Sequence, residues 1–161
     1  MMDTLRNENA RLLVLGSGPQ EQMLKKEVAD RQLGSKVRFM GFVEEMEKFR
    51  LLRLSDIYVS TSQHEGFGLV FLEAMACGLP VICYDYGGQT DFLEDGTTGY
   101  LAPLNDLQSF ADRSLTLMRD PKLRQKMGQN NLQRAEGLFI ETCAQHYEAI
   151  FYEVIANHGK E

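Results

Sequence analysis

The stretch DIYVSTSQHEGFGLVFLEAMACGLPVICYD, Asp56–Asp85, reads as strand, glycine turn, helix and strand. DIYVSTS is a short strand, and the glycines Gly66 and Gly68 open the helix that follows it. That helix carries Leu, Val, Phe, Ala, Met and Cys and stops at Gly78, with Pro80 beyond it. LPVICYD, rich in Val and Ile, has the pattern of a strand buried on both faces, as a parallel sheet requires. One carboxylate, Glu73, lies inside the apolar helix, and a second, Glu65, stands just before its glycines.

The same alternation extends outward in both directions. RLLVLGSGP (Arg11–Pro19) is a strand ending in a glycine turn, and QEQMLKKEVADRQLG has helical spacing through Met23, Leu24, Val28 and Leu33. KVRFMGFV is a further strand. EEMEKFRLLRLS is a short helix predicted to turn Met46, Phe49, Leu52 and Leu54 toward the core. TGYLAPL is a fifth strand after the turn EDGTTG, and three helices close the chain: Leu107–Met118, Pro121–Gly128 and onward, and Phe139–Ala156. Strands alternating with helices predict an α/β fold, a Rossmann-like parallel sheet with right-handed crossovers and helices on both faces. At 161 residues, the expectation is one domain spanning 1–161.

Composition narrows the function. With 43% hydrophobic and 25% charged residues the chain has an ordinary globular make-up. Its net charge of −6 argues against a nucleic-acid partner, since phosphate neutralisation needs surplus Lys and Arg. No apolar run approaches the ~18 residues of a membrane span, and Asp3, Arg6, Glu8 and Arg11 are unlike a signal peptide. Cys77, Cys83 and Cys143 are odd in number and lack metal-type spacing, which predicts a reducing cytoplasmic setting with neither disulfide nor zinc. His64, His146 and His158 form no cluster in the sequence.

In such folds ligands sit beyond the carboxyl ends of the strands, and this chain puts glycines at three of those ends: Gly16 and Gly18, Gly66 and Gly68, and Gly87 and Gly88. Such turns let backbone approach a ligand, and the first-turn amides of a helix suit a phosphate or a sugar hydroxyl. The plain alternative is that glycines merely end strands. Burying an unpaired carboxylate costs several kcal/mol, so Glu73 must meet a partner or open onto a cleft. There it can accept the vicinal hydroxyls of a ribose, as acids do in dinucleotide folds. The plain alternative for Glu73 is a solvated position on an exposed helix face.

Glu65-Gly-Phe-Gly-Leu-Val-Phe-Leu-Glu73 resembles the E-x7-E signature of the retaining, nucleotide-sugar-dependent glycosyltransferases of family 4, the group 1 glycosyltransferases. VLGSGP, VRFMGFV, the long central stretch and EDGTTGYL agree with that family in order, from about Ala10 to about Ala135. The resemblance implies that Glu73 holds the donor's ribose hydroxyls. Glu65 then faces the transferred hexose as the catalytic residue, without being assigned as a nucleophile. The amides of Gly66, Phe67, Gly68 and Leu69 would bind sugar hydroxyl and diphosphate oxygens, Gly16 and Gly18 would pass near the diphosphate, and Phe42 and Val43 near the base. His64, Gly87, Gly88 and Asp91 are auxiliary candidates. No cofactor or metal is implied; the substrate is a nucleotide sugar, with a UDP-sugar as the expected donor and a hexose passed to a glycan or lipid-linked acceptor. The implied setting is polysaccharide assembly in the cytoplasm or at the cytoplasmic face of a membrane, with peripheral association of the whole protein.

Two departures from the family pattern stand out. The family's glycine pair is usually followed by Pro-Glu; here it reads Gly87-Gly88-Gln89-Thr90-Asp91, which keeps an acid but loses the proline. Family members also have an acceptor-binding domain, followed by a strand and loop with a phosphate-gripping Arg and Lys. This chain opens MMDTLRNENARLLVLG, which resembles the end of the helix after that strand. It is therefore expected to be the donor-binding, C-terminal half of the two-domain GT-B fold with its first strand missing, transferring no sugar alone. Either RLLVLG and DIYVST pair directly or another chain fills the gap. The stripe Phe139, Ile140, Cys143, Tyr147, Ile150, Phe151 and Val154 either packs on the sheet or favours self-association. The rival readings are a sugar-nucleotide epimerase or phosphorylase-like enzyme of the same plan, and a non-catalytic nucleotide-binding or docking module that needs a partner.

Overall fold

A computed structural model describes residues 1–63 and 66–158. In order the elements are β1 (Leu12–Leu15), α1 (Glu21–Asp30), β2 (Val37–Gly41), α2 (Glu45–Arg53), β3 (Tyr58–Val59), α3 (Leu69–Ala76) and β4 (Val81–Tyr84). A 3-10 turn (Gly88–Asp91), β5 (Gly99–Ala102), α4 (Leu107–Arg119), α5 (Pro121–Glu136) and α6 (Ile140–His158) complete the chain. Every ladder is parallel, so the α/β class predicted from the alternation holds.

The core is built around β4, which lies between β3 and β5, with Val81 opposite Gly99 and Ile82 opposite Tyr100. All four of its residues are buried. Side chains alternate along a strand, so Val81 and Cys83 join Phe71, Met75, Leu79 and Phe92 on one face. Ile82 and Tyr84 meet Phe110, Leu117 and Met127 on the other. Helices thus cover both faces, α3 on one side and α4 on the other, while α5 gives Ala135 to the first and Met127 to the second. Tyr58 meets Phe71 edge-on at 5.7 Å between ring centres, and Tyr84 meets Phe110 at 5.5 Å.

Helix α3 ends as its sequence foretells. Gly78 is left-handed at φ 72°, its N–H donates to Met75 O, and the Leu79 N–H reaches back to Ala74 O, the paired bonds of a Schellman cap. Helix α5 crosses close to this point, with Gly128 packed on the Gly78 carbonyl. From α5 the wholly buried Asn131 donates to Leu79 O at 2.6 Å and Thr98 O at 2.7 Å, tying together the segments that enter β4 and β5. Asp106 and Asp120 cap α4 and α5 by accepting the backbone N–H groups of Ser109 and Leu123.

Several expectations change. β1 and β2 form one sheet and β3, β4 and β5 another; RLLVLG and DIYVST do not pair. Met46 and Leu54 are 85% and 70% exposed, because only one stripe of α2, with Leu51 and Leu52, meets the core. No residue of α1 is buried; Met23 and Leu24 are exposed because the two-stranded sheet beneath offers little cover, and Leu33, beyond the helix, does the packing. Residues 2–9 form turns rather than the end of a helix; Leu5 is buried, and ion pairs run from Asp3 to Arg31 and from Glu8 to Arg119. Helix α6 buries no residue: Ile140, Tyr147, Ile150, Phe151 and Val154 are all exposed, so the stripe does not pack on the sheet.

The three cysteines are free. Burial in the middle of β4, and secondarily Asp85, push the Cys83 thiol up to about 12. At pH 8 the folded protein should therefore leave Cys83 unalkylated by iodoacetamide, while urea exposes it. Mass spectrometry showing Cys83 labelled equally fast with and without urea would contradict this packing.

Candidate functional site

The site is built on the opening of α3. Gly68 has φ 83°, and a Cβ there would come within 2.8 Å of the Phe71 ring, so the turn calls for glycine on both grounds. Its carbonyl accepts the Phe71 N–H at 2.9 Å. Among the described residues no side chain caps the helix and its first turn holds no acid, so the positive end of the helix dipole faces the loop.

One turn further in stands Glu73, followed by buried Ala74 and Met75. Its side chain is only 25% exposed, and its Oε1 accepts a hydrogen bond from Lys48 Nζ at 2.5 Å. Lys48 comes from α2, is itself 28% exposed, and lies 4.9 Å from the centre of the Phe49 ring. The lone acid of the apolar helix therefore has a partner, and the fully solvated alternative does not hold.

Two other groups of candidates come together. The Gly16 N–H donates to Gly41 O at 2.7 Å, with Gly16 at φ 97° and Gly41 at φ 65°, which joins the turn after β1 to the segment carrying Phe42 and Val43. Gly16 and Gly18 are exposed, with open space where a side chain would stand. Phe42 is 77% exposed and Val43 half-buried.

At the opening of α3, exposed Phe67 lies 6.0 Å from Phe92, which also touches Phe71. That contact sets Gly66–Leu69 beside the turn Gly87–Asp91. Thr90 closes the turn by donating both its N–H and its hydroxyl to Gly87 O. Exposed Asp91 ends the turn. Gln63 Nε2 donates to Asn105 Oδ1 at 2.8 Å, linking the exits of β3 and β5.

The Gly16–Gly41 group and the α3 group stand on different sheets, and the Lys48–Glu73 pair joins α2 to α3. The sequence reading missed Lys48, which is 25 positions from Glu73 and on another helix. It also missed Asn131. Glu65 and His64 lie outside the described residues. A groove along the outer side of α2, lined by Glu44, Met46, Glu47, Arg50, Arg53 and Leu54, contains none of the candidates. Among the described residues no three of His, Cys, Asp and Glu gather as a metal-binding set, and no helix is long and apolar enough to cross a membrane.

Relatives share this arrangement of sequence and fold. The family model for glycosyl transferases group 1 matches residues 1–134. N-acetyl-alpha-D-glucosaminyl L-malate synthase of Bacillus anthracis is 34% identical over 148 residues, 91% of this chain and 38% of that protein. TarM of S. aureus, solved as a point mutant in complex with fondaparinux, alpha-GlcNAc-glycerol and UDP, matches with a TM-score of 0.83 at 28% identity. The match covers 92% of this chain and 30% of TarM. HepE of Anabaena, solved with UDP-glucose, matches with a TM-score of 0.80 at 25% identity, over 94% of this chain and 44% of HepE. The chain thus spans less than half the length of these relatives. Matched by the family model over most of its length, the chain belongs to the glycosyl transferases group 1 family.

Proposed function

We propose that this chain is the donor-binding unit of a retaining glycosyltransferase that passes a hexose from a UDP-sugar to a glycan or lipid-linked acceptor. The observation that carries the reading is Glu73: a carboxylate one turn inside a helix with a glycine-opened N-terminus, with one oxygen held by Lys48. In this reading the carboxylate accepts the ribose hydroxyls and the amides of Gly66, Phe67, Gly68 and Leu69 meet sugar and diphosphate oxygens. Gly16 and Gly18 flank the diphosphate, while Phe42 and Val43 flank the base. Glu65, with His64 beside it, faces the hexose, and Gly87, Gly88 and Asp91 border it. The dipole of α3 meets the diphosphate without a divalent metal. Relatives solved with UDP and UDP-glucose support uracil as the base. The acceptor site belongs to the rest of a longer protein or to an associated chain. The three free cysteines fit a reducing, cytoplasmic setting.

Isothermal titration of the chain with UDP-glucose, GDP-mannose and ADP-glucose in EDTA tests this. Saturable one-to-one binding of the uridine donor alone is expected, together with no sugar transfer by the isolated chain. Absence of binding to all three nucleotides would remove the donor-site reading.

A further inference from the structure

Lys48 has nearer carboxylates in sequence than the one it binds. Glu44 and Glu45 precede it by one helical turn, where ion pairs commonly form. The remaining acid of the turn, Glu47, is held by Arg50 through two hydrogen bonds of 2.6 and 2.7 Å. Lys48 instead crosses to α3 and donates to Glu73 Oε1. Both side chains are about three-quarters covered, which confines their rotamers more than an exposed pair would. A carboxylate has about four acceptor positions, so an ammonium on Oε1 leaves room for hydroxyl donors, chiefly on Oε2.

The pair also joins two helices that pack on the same face of β4, α2 through Leu52 and α3 through Phe71 and Met75. Helix α2 follows the segment carrying Phe42 and Val43, whereas α3 is opened by Gly66–Leu69. Lys48 thus reaches Glu73 from a helix held by the same core, which keeps donor and acceptor in register.

Resting on the ribose role proposed above for Glu73, we infer that Lys48 is a positioning residue. Its ammonium holds the Glu73 carboxylate in the orientation that accepts the vicinal hydroxyls of the donor's ribose. A positioned acceptor discriminates for the hydroxyl it meets, and a loosely held one does so less.

The test compares UDP with 2′-deoxy-UDP, titrated into the wild-type chain and the variants Lys48→Met, Lys48→Arg and Glu73→Gln, with thermal melts alongside. Wild type should prefer UDP by about ten-fold, as for loss of a hydrogen bond to a charged group. In Lys48→Met the preference should fall to about two-fold in a protein that still melts cooperatively, at a lower temperature because Glu73 loses its partner, and Lys48→Arg should restore part of it. A Lys48→Met protein that keeps the wild-type preference overturns the inference. So does one that loses both nucleotides in equal proportion, because Lys48 then serves another part of the ligand. If Glu73→Gln keeps the wild-type preference, or wild type binds neither nucleotide, the ribose role of Glu73 fails, and the positioning role with it.

Discussion

Replacing Gly99 by alanine should cost the fold about 3 kcal/mol or more, a large share of a typical domain's stability. Gly99 is paired with Val81 in the β4–β5 ladder, where an added Cβ would stand 1.8 Å from Val81 O and 2.6 Å from Val81 N. Both obstacles are backbone, and neither strand has freedom to yield. Val81 is 1% exposed at the centre of the core. The residue before Gly99, Thr98, is equally buried; its hydroxyl accepts from Glu94 N–H at 2.7 Å and its carbonyl from Asn131. The Gly99 carbonyl itself accepts the Gly96 N–H at 2.8 Å. Relief would require breaking this turn or spreading the ladder. Urea unfolding followed by circular dichroism measures the loss, and a decrease below about 1 kcal/mol would show that the strands can part cheaply.

The second large effect is on binding. Glu73→Gln keeps the size of the side chain and removes its charge, so the hydrogen bonds it accepts become neutral ones. Bonds to charged groups contribute about 1.5–3 kcal/mol and neutral ones about 0.5–1.5. Across the two ribose hydroxyls of the proposed complex the difference is about 2–3 kcal/mol, or roughly a 30- to 150-fold weaker UDP complex. Titration calorimetry reads this directly, with a thermal melt to establish that the variant is folded. Affinity within about three-fold of wild type would separate Glu73 from the nucleotide.

Much of this was legible from residue order. The run Val81–Tyr84 announced a strand covered on both faces, and the structure buries all four residues. The end of α3 could be placed because Gly78 and Pro80 leave a helix little choice. Glu73 could be singled out because an acid in an apolar run demands a partner. That the partner is Lys48 was not legible, since the pairing depends on how two separate helices are set side by side. For the same reason Asn131 looked like one more polar residue of α5, although it holds two strand entries together. Met46 and Leu54 misled because apolar identity does not say which stripe of a short helix is covered. Phe139–Val154 was legible as an apolar stripe, whereas its lack of cover by the sheet is a tertiary fact.

The break between the ladders has a mechanical consequence. With no strand hydrogen bonds joining them among the described residues, the β1–β2 leaf and the three-stranded slab are tied instead by α2 in the chain between them and by the turns of residues 2–9, whose Asp3 pairs with Arg31 and Glu8 with Arg119. Slight rocking of the leaf would lengthen or shorten the span from Phe42 to Gly68 while leaving each body undistorted. That span is set by ion pairs as well as by chain connections, so salt can loosen it while both ladders hold.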